Sequence, residues 1–410
     1  MNIPLSKPDI TELEVDSVTQ VLRSERLSLG PKLCEFESAF AEYAGTRYAV
    51  ATNSGTSALH LSVRAMDIGH QDEVVTSAFS FIASTNCFLY EGAVPVMLDI
   101  DPTTLNLDPK HVRSFLKQCC VVDSATGCVI NKQTGRTVKA ILPVHVFGVP
   151  CDMDPILELA SQFGLSVLED ACEAIGAEYH GRRVGTFGDA AVFAFYPNKQ
   201  MTSGEGGMIV TNNERIAALC RSMRNQGRDD DSSWLNHVRL GYNYRLSELH
   251  CALGLAQLKR LPELLEARER VAMGYNRALA EIPHLILPSS HINDRKRSWF
   301  VYVVQLDYPG AKAIRDRIIE RLRERGIQSQ AYFPSLHTQA HIAADAEIPL
   351  GSLIRTEVAS DRSLALPFFP TLRSEEVQYI AETLRQILED ELGAPRPSSA
   401  TLHATVEAGR

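Results

Sequence analysis

Between residues 47 and 212 the chain repeats one pattern, a short apolar run followed by a segment with helical spacing. YAVAT leads into SGTSALHLSVRAM, EVVTS into FIASTNCFLYEG, VPVMLDI into DPKHVRSFLKQ and AILPVHVFG into MDPILELASQFG, with LSVLED and AAVFAFY following. Strands that alternate with helices are joined by crossovers and so run parallel, in a sheet covered by helices on both faces. An antiparallel sandwich would need evenly spaced short strands with no helices between them. The pattern predicts an α/β fold, and such sheets bind ligands at the carboxyl ends of their strands.

Residues 117–138, KQCCVVDSATGCVINKQTGRTV, carry two turn-like clusters and read as a small hairpin inserted before the next strand. From about Arg245 a long helical pattern, LSELHCALGLAQLKRLPELLEARERVAMGYNRALA, leads into a different section. There WFVYVVQL reads as a strand, AKAIRDRIIERLRERG as a helix ended by Gly326, and SEEVQYIAETLRQILEDEL as a last helix capped by Ser374. The organisation expected is a large domain over 1–245, a smaller α+β domain over 246–392, and a disordered tail over 393–410 with little to bury.

Composition narrows the partners. At 410 residues and 45% apolar content the chain can bury a sizeable core. Its net charge of −9, with no basic block, argues against a nucleic-acid surface, so any bound anion must be held locally. No segment approaches 18 uninterrupted apolar residues and the start lacks a charged-then-apolar leader, which predicts no membrane span and a cytoplasmic protein. Nine cysteines without a C-x-x-C pair suggest neither a disulfide framework nor a zinc site.

Three stretches at strand ends carry candidate chemistry. ATNSGTSALHL sets Asn53, Ser54, Gly55 and Thr56 between a strand and a helix, where free amide groups and the Thr56 hydroxyl could hold a phosphate, although such residues also cap ordinary helices. LSVLEDACEAIGAEY places Glu169 and Asp170 at the end of an apolar run, as a helix cap or as a carboxylate facing a cationic ring nitrogen. FAFYPNKQMTSGEGGMIV places Lys199 just beyond another strand, either as a solvated turn residue or as an amine whose burial favours its neutral, nucleophilic form. Phosphate cradle, carboxylate and lysine together are what pyridoxal 5′-phosphate (PLP) asks of a protein. No G-x-G-x-x-G follows a strand, which excludes a dinucleotide site of that type.

With these residues assembled, the chain resembles the DegT/DnrJ/EryC1/StrS family of PLP-dependent sugar aminotransferases, through SGTSAL, SFIAST, EDACEA, GDAAVFAFYPNK, GEGGMIV and LGYNYRLSELHCALGLAQL. The resemblance runs to about residue 390, leaving out the hairpin and the tail. It implies the aspartate-aminotransferase type fold, PLP-dependent fold type I, with a mixed, mostly parallel sheet. Lys199 then matches the Schiff-base lysine, Asp170 the acid on the ring nitrogen, Phe81 the aromatic stacked on the ring, and Gly55 with Thr56 the phosphate loop. Asn243 matches a residue that reaches the phosphate in the neighbouring subunit, implying a homodimer with shared sites. His337 resembles a substrate position.

Two positions depart from the commonest family pattern: Ala194 stands where a phosphate-binding serine is frequent, and Glu173 where Gln or His is frequent near the ring hydroxyl. The Glu173 variant is most similar to perosamine-synthase-type members, which aminate the 4-keto carbon of a nucleotide-linked sugar. The resemblance implies a glutamate donor and a ping-pong cycle. A 3-keto sugar or a cyclitol as acceptor stays open, as does a non-catalytic PLP-binding regulator. A related sugar dehydratase is disfavoured, because those proteins carry His where Lys199 stands.

Overall fold

The computed structural model describes residues 2–229, 236–290 and 292–393. Its main sheet holds seven strands in one path: β1 (Tyr48–Thr52), β2 (Asp72–Ser77), β3 (Val94–Leu98), β4 (Thr137–Ile141), β5 (Ser166–Asp170), β6 (Ala190–Ala194) and β7 (Gly207–Thr211). Their spatial order is β1-β7-β6-β5-β4-β2-β3. The neighbours from β6 through to β3 pair in parallel, as helical crossovers require.

Strand β7 is the exception and runs antiparallel to both β6 and β1. Its direction follows from its connection, since residues 195–206 contain no helix to carry the chain back across the sheet. The chain reverses there instead. Lys199 sits in that reversal, at the carboxyl end of β6.

The expected hairpin is present as Cys120–Val122 paired with Val129–Asn131, and its second strand also bonds to the start of β4. Buried Glu73 at the start of β2 anchors it, accepting from Asn131 Nδ2 at 2.9 Å and Thr134 Oγ1 at 2.6 Å. The outer edge of β3 is covered by the backbone of a later segment: Met97 N–H donates to Glu347 O at 2.8 Å, and Glu347 N–H to Pro95 O at 2.9 Å.

The C-terminal body has a four-stranded antiparallel sheet in the order Leu285–Ile286, Tyr302–Leu306, Ser363–Leu366, Gln330–Ala331. Helices Ala311–Glu324 and Ser374–Leu392 pack with it. The proposed boundary after residue 245 is crossed in two ways. The Glu248–Leu279 helix spans 32 residues, about 48 Å. Its first half, with Cys251, Leu261 and Leu264, packs beneath the main sheet, whereas Val271, Tyr275 and Leu279 enter the C-terminal core. The chain start also joins that core, with Ile3 bridged to Ile327 and the Leu5 carbonyl accepting from Phe368 N–H.

Ser374 is the first residue of the last helix rather than its cap. Arg373 takes the cap position, and its backbone N–H donates to the Glu376 carboxylate at 2.9 Å. The expected tail falls outside the described residues except for Gly393. No helix among the described residues is long and apolar enough to cross a membrane.

Candidate active site

A cavity of about 270 Å³ opens where β1, β5 and β6 end. Gly55 and Thr56 reach it from the helix after β1, Phe81 and Ser84 from the loop and helix after β2, Asp170 and Glu173 from β5 and its extension, and Ala194 and Lys199 from β6 and the reversal. The C-terminal body closes it with Phe300, Tyr332 and Phe333.

Alternation along β5 separates its two acids. Glu169 is wholly buried and faces away from the cavity, accepting backbone N–H bonds from Gly185 (2.8 Å), Phe187 (2.7 Å) and Gly188 (2.8 Å). His145 completes its shell: Nδ1 accepts from Cys151 N–H at 3.0 Å, so the proton lies on Nε2, which donates to Glu169 at 3.1 Å. Burial pushes the Glu169 carboxyl up, but the His145 contact and the backbone bonds outweigh it and hold it below the usual range. Glu169 is thus a structural anion. Asp170 lines the cavity, with Oδ2 accepting from Ser84 Oγ at 2.6 Å and Oδ1 from Cys172 N–H at 3.1 Å.

Lys199 N–H bonds to Tyr196 O at 2.9 Å, closing the turn that carries it. Its side chain is 14% exposed, with Nζ 3.7 Å from Glu173 Oε1 and 4.0 Å from the centre of the Phe300 ring. Glu173 in turn accepts Phe147 N–H at 2.9 Å. Burial pushes the Glu173 carboxyl up; Lys199 and the Phe147 bond only partly offset it.

The helix Gly55–Ala65 starts at the cavity wall. Ser54 caps it, taking the Ser57 N–H at 3.1 Å, and the first amides beyond the cap have no acceptor within the helix. A Cβ on Gly55 would lie 2.7 Å from Ala194 Cβ and 3.3 Å from Cys172 Sγ, so only glycine lets the helix start approach the end of β6 this closely. Phe81, an apolar ring that also lines the cavity, is 57% exposed.

Six sequence-derived residues therefore meet at one cavity: Gly55, Thr56, Phe81, Asp170, Glu173 and Lys199. Two lie elsewhere. Asn243 is exposed and bridged to Asn225, held between Tyr242 and Tyr244, whose rings stack at 4.9 Å and 9°. His337 occupies a short helical turn and pairs with Glu357 at 3.2 Å. Ser84 escaped the sequence reading although it stands three residues beyond Phe81 in SFIAST, the spacing that brings both to one side of a helical turn. Phe300 lies in RSWFVYVV and Tyr332 in AYFPSLHTQ, segments that resemble family positions around the substrate without singling out either ring, and both arrive from the other body. Among the described residues no cluster suits a metal ion.

The family model for the DegT/DnrJ/EryC1/StrS aminotransferase family matches residues 8–385. GDP-perosamine synthase of Caulobacter vibrioides is 38% identical over 396 residues, covering 94% of this chain and 98% of that protein. Spore coat polysaccharide biosynthesis protein SpsC of Bacillus subtilis is 36% identical over 397 residues, covering 94% and 97%. Among solved structures, S. venezuelae DesV in complex with a ketimine intermediate superposes with a TM-score of 0.81 at 33% identity, covering 94% of this chain and 98% of that one.

Proposed function

The chain belongs to the DegT/DnrJ/EryC1/StrS aminotransferase family, a PLP-dependent family, and from that premise we propose that it moves an amino group from L-glutamate to the 4-keto carbon of a nucleotide-linked 6-deoxyhexose. The observation that carries the reading is the convergence of Lys199, Asp170, Phe81 and the Gly55–Thr56 helix start on one cavity. The cavity suits PLP: Gly55 lets the helix start pack tightly against the end of β6 so that its amides face the cavity, and a carboxylate and an amine stand at separate strand ends.

When bound, PLP supplies a carbonyl that accepts the amino group and a cationic ring that takes up the electron pair released at the donor carbon. The residues divide the remaining work. Gly55 and Thr56 would hold the phosphate through the helix start, Phe81 would cover one ring face, and Asp170, oriented by Ser84, would hold the proton on the ring nitrogen. Lys199 Nζ would anchor the cofactor and, once freed by the donor, carry the proton released at the donor α-carbon to the cofactor side of the new bond. Glu173, with Oε1 3.7 Å from Lys199 Nζ, would stand on the ring-hydroxyl side of the cofactor as the amine's neighbour. Excluding water from the floor falls to Phe300 and Phe333, both buried.

Two further points support the finer reading. GDP-perosamine synthase and a polysaccharide biosynthesis protein are relatives over nearly the whole chain, which favours a nucleotide-linked sugar. Asn243, exposed and away from its own cavity, is suited to serve the site of a second copy, so the working unit is a homodimer. The test is product analysis with glutamate, PLP and nucleotide-linked 4-keto and 3-keto 6-deoxysugars. Amination of the 3-keto sugar alone overturns the position assigned. Lys199→Ala should lose both turnover and the cofactor band at about 400 nm; retained transamination overturns the role of Lys199.

A further inference from the structure

Arg268 lies in the Glu248–Leu279 helix and is among the largest fully buried side chains, 2% exposed. Among the described residues no carboxylate pairs with it, and burial pushes the guanidinium down to about 9. Main-chain carbonyls surround it instead. Nη1 donates to Phe300 O at 3.0 Å, and Nη2 to Lys199 O at 2.7 Å and Asn198 O at 3.3 Å. The Phe368 ring lies 5.6 Å away on the side of the C-terminal core.

A buried cation is a costly filler where leucine would pack, so its presence calls for something leucine lacks. A planar fork supplies it, reaching acceptors on two separate segments at once. Those segments meet again at the cavity, where Lys199 Nζ stands 4.0 Å over the Phe300 ring. One guanidinium thus fixes by main chain the same two residues that touch by side chain.

We propose that Arg268 is a positioning residue for Lys199, setting the height of its turn so that the amine rests over the Phe300 face and points at the reacting carbon. This rests on the reading of Lys199 as proton carrier given above. Without Arg268 the turn keeps Lys199 N–H to Tyr196 O, Ser203 N–H to Phe195 O, Thr202 N–H to Gln257 Oε1 and Gln200 Nε2 to Glu173 O and Ser298 Oγ, which close it and tie it beside Phe300 but hold neither the Lys199 nor the Phe300 carbonyl. The amine stands at the end of a flexible four-carbon stem, so a small tilt at the backbone displaces it.

The test compares holoenzymes of wild type, Arg268→Lys, Arg268→Met and Phe300→Leu by steady-state kinetics and amide hydrogen exchange. Misplacing a reacting group by an ångström costs about 100-fold, so Arg268→Met should lose about that factor in kcat with KM for both substrates little changed. Peptides spanning 196–203 should exchange roughly tenfold faster, those of β1–β5 at the wild-type rate. Arg268→Lys, reaching one carbonyl, should recover part of kcat. Phe300→Leu keeps the carbonyl acceptor and should lower kcat without speeding exchange of the turn.

Wild-type kcat in Arg268→Met, or a loss confined to KM, overturns the proposal. If Arg268→Met does not fold, wild-type kcat and exchange in Arg268→Lys overturn it equally. Lys199→Ala separates the two readings. Transamination surviving in Lys199→Ala refutes the role of Lys199, whereas an inactive Lys199→Ala beside fully active Arg268 variants refutes only the role of Arg268.

Discussion

Ser84 Oγ donates to Asp170 Oδ2 across 2.6 Å, tying the helix after β2 to the end of β5. Ser84 is itself fixed by Ser80, hydroxyl to hydroxyl at 2.7 Å. The carboxylate that faces the cavity is therefore oriented by a two-serine relay from the loop and helix after β2.

Ser84→Ala should leave Asp170 free to rotate about its side chain. Hydrogen bonds to charged groups are worth about 1.5–3 kcal/mol, so a drop of roughly tenfold or more in kcat/KM is expected, with Asp170→Asn more damaging. Steady-state kinetics check it. An unchanged kcat/KM would show that Cys172 N–H alone orients the acid.

Gly55→Ala should weaken cofactor binding and the fold together, since the new Cβ would lie 2.7 Å from Ala194 Cβ, a side chain with no far end to swing aside. Overpacking of this kind costs about 1–3 kcal/mol. Fluorescence titration with PLP and thermal melting measure the two effects. The converse change, Ala194→Ser, adds a hydroxyl at the phosphate corner and should tighten PLP binding several-fold if the site tolerates its volume.

Glu173→Gln should trade activity for stability. Burial raises the Glu173 carboxyl above its ordinary 4.5 in the folded protein, so the folded state holds the proton more tightly than the unfolded one. Its contribution is then fully present below pH 4.5 and is lost as pH rises through the higher folded value. The amide carries no such loss. Melting curves at pH 5 and pH 8 should show a smaller difference for Glu173→Gln than for wild type.

Glu14 has the opposite sign. It is 1% exposed and accepts Thr11 N–H at 2.7 Å, Thr11 Oγ1 at 2.6 Å, Gln257 Nε2 at 2.9 Å and Arg260 Nη1 at 3.0 Å. Burial pushes it up, but these bonds prevail and bring it from 4.5 to about 2. The stability it contributes is complete above pH 4.5 and disappears as pH falls towards 2. Acid unfolding of Glu14→Gln should lack that component; a curve parallel to wild type between those limits would contradict the assignment.

The order of strands and helices was legible because each buried strand reads as an apolar run and each crossover helix as a period. The direction of β7 was not, since it depends on the absence of a helix in 195–206, where Lys199 itself draws attention. Lys199, Asp170 and Gly55 could be found because glycines, a lysine and an acid are conspicuous at strand ends. The resemblance already picked Asp170 over Glu169; the physical reason, the alternation of β5 with the loop amides of Gly185–Gly188 around Glu169, comes only from the fold. Phe300 was legible only as part of RSWFVYVV, a segment resembling family positions around the substrate, and Arg268 could not be read at all. An aromatic in a strand and an arginine in a long helix are ordinary in sequence, and only the meeting of two bodies gives them a place.

Glu347, which bonds to Pro95 and Met97, lies about 250 residues beyond the strand whose edge it covers. An uncovered β3 would present a row of free peptide groups, the template on which unrelated chains pair and aggregate. During synthesis that row stays open until the segment around residue 347 has left the ribosome, however early the strands before it have assembled. Chains truncated before that point should be prone to associate through β3, so the last third of the polypeptide guards the solubility of the first.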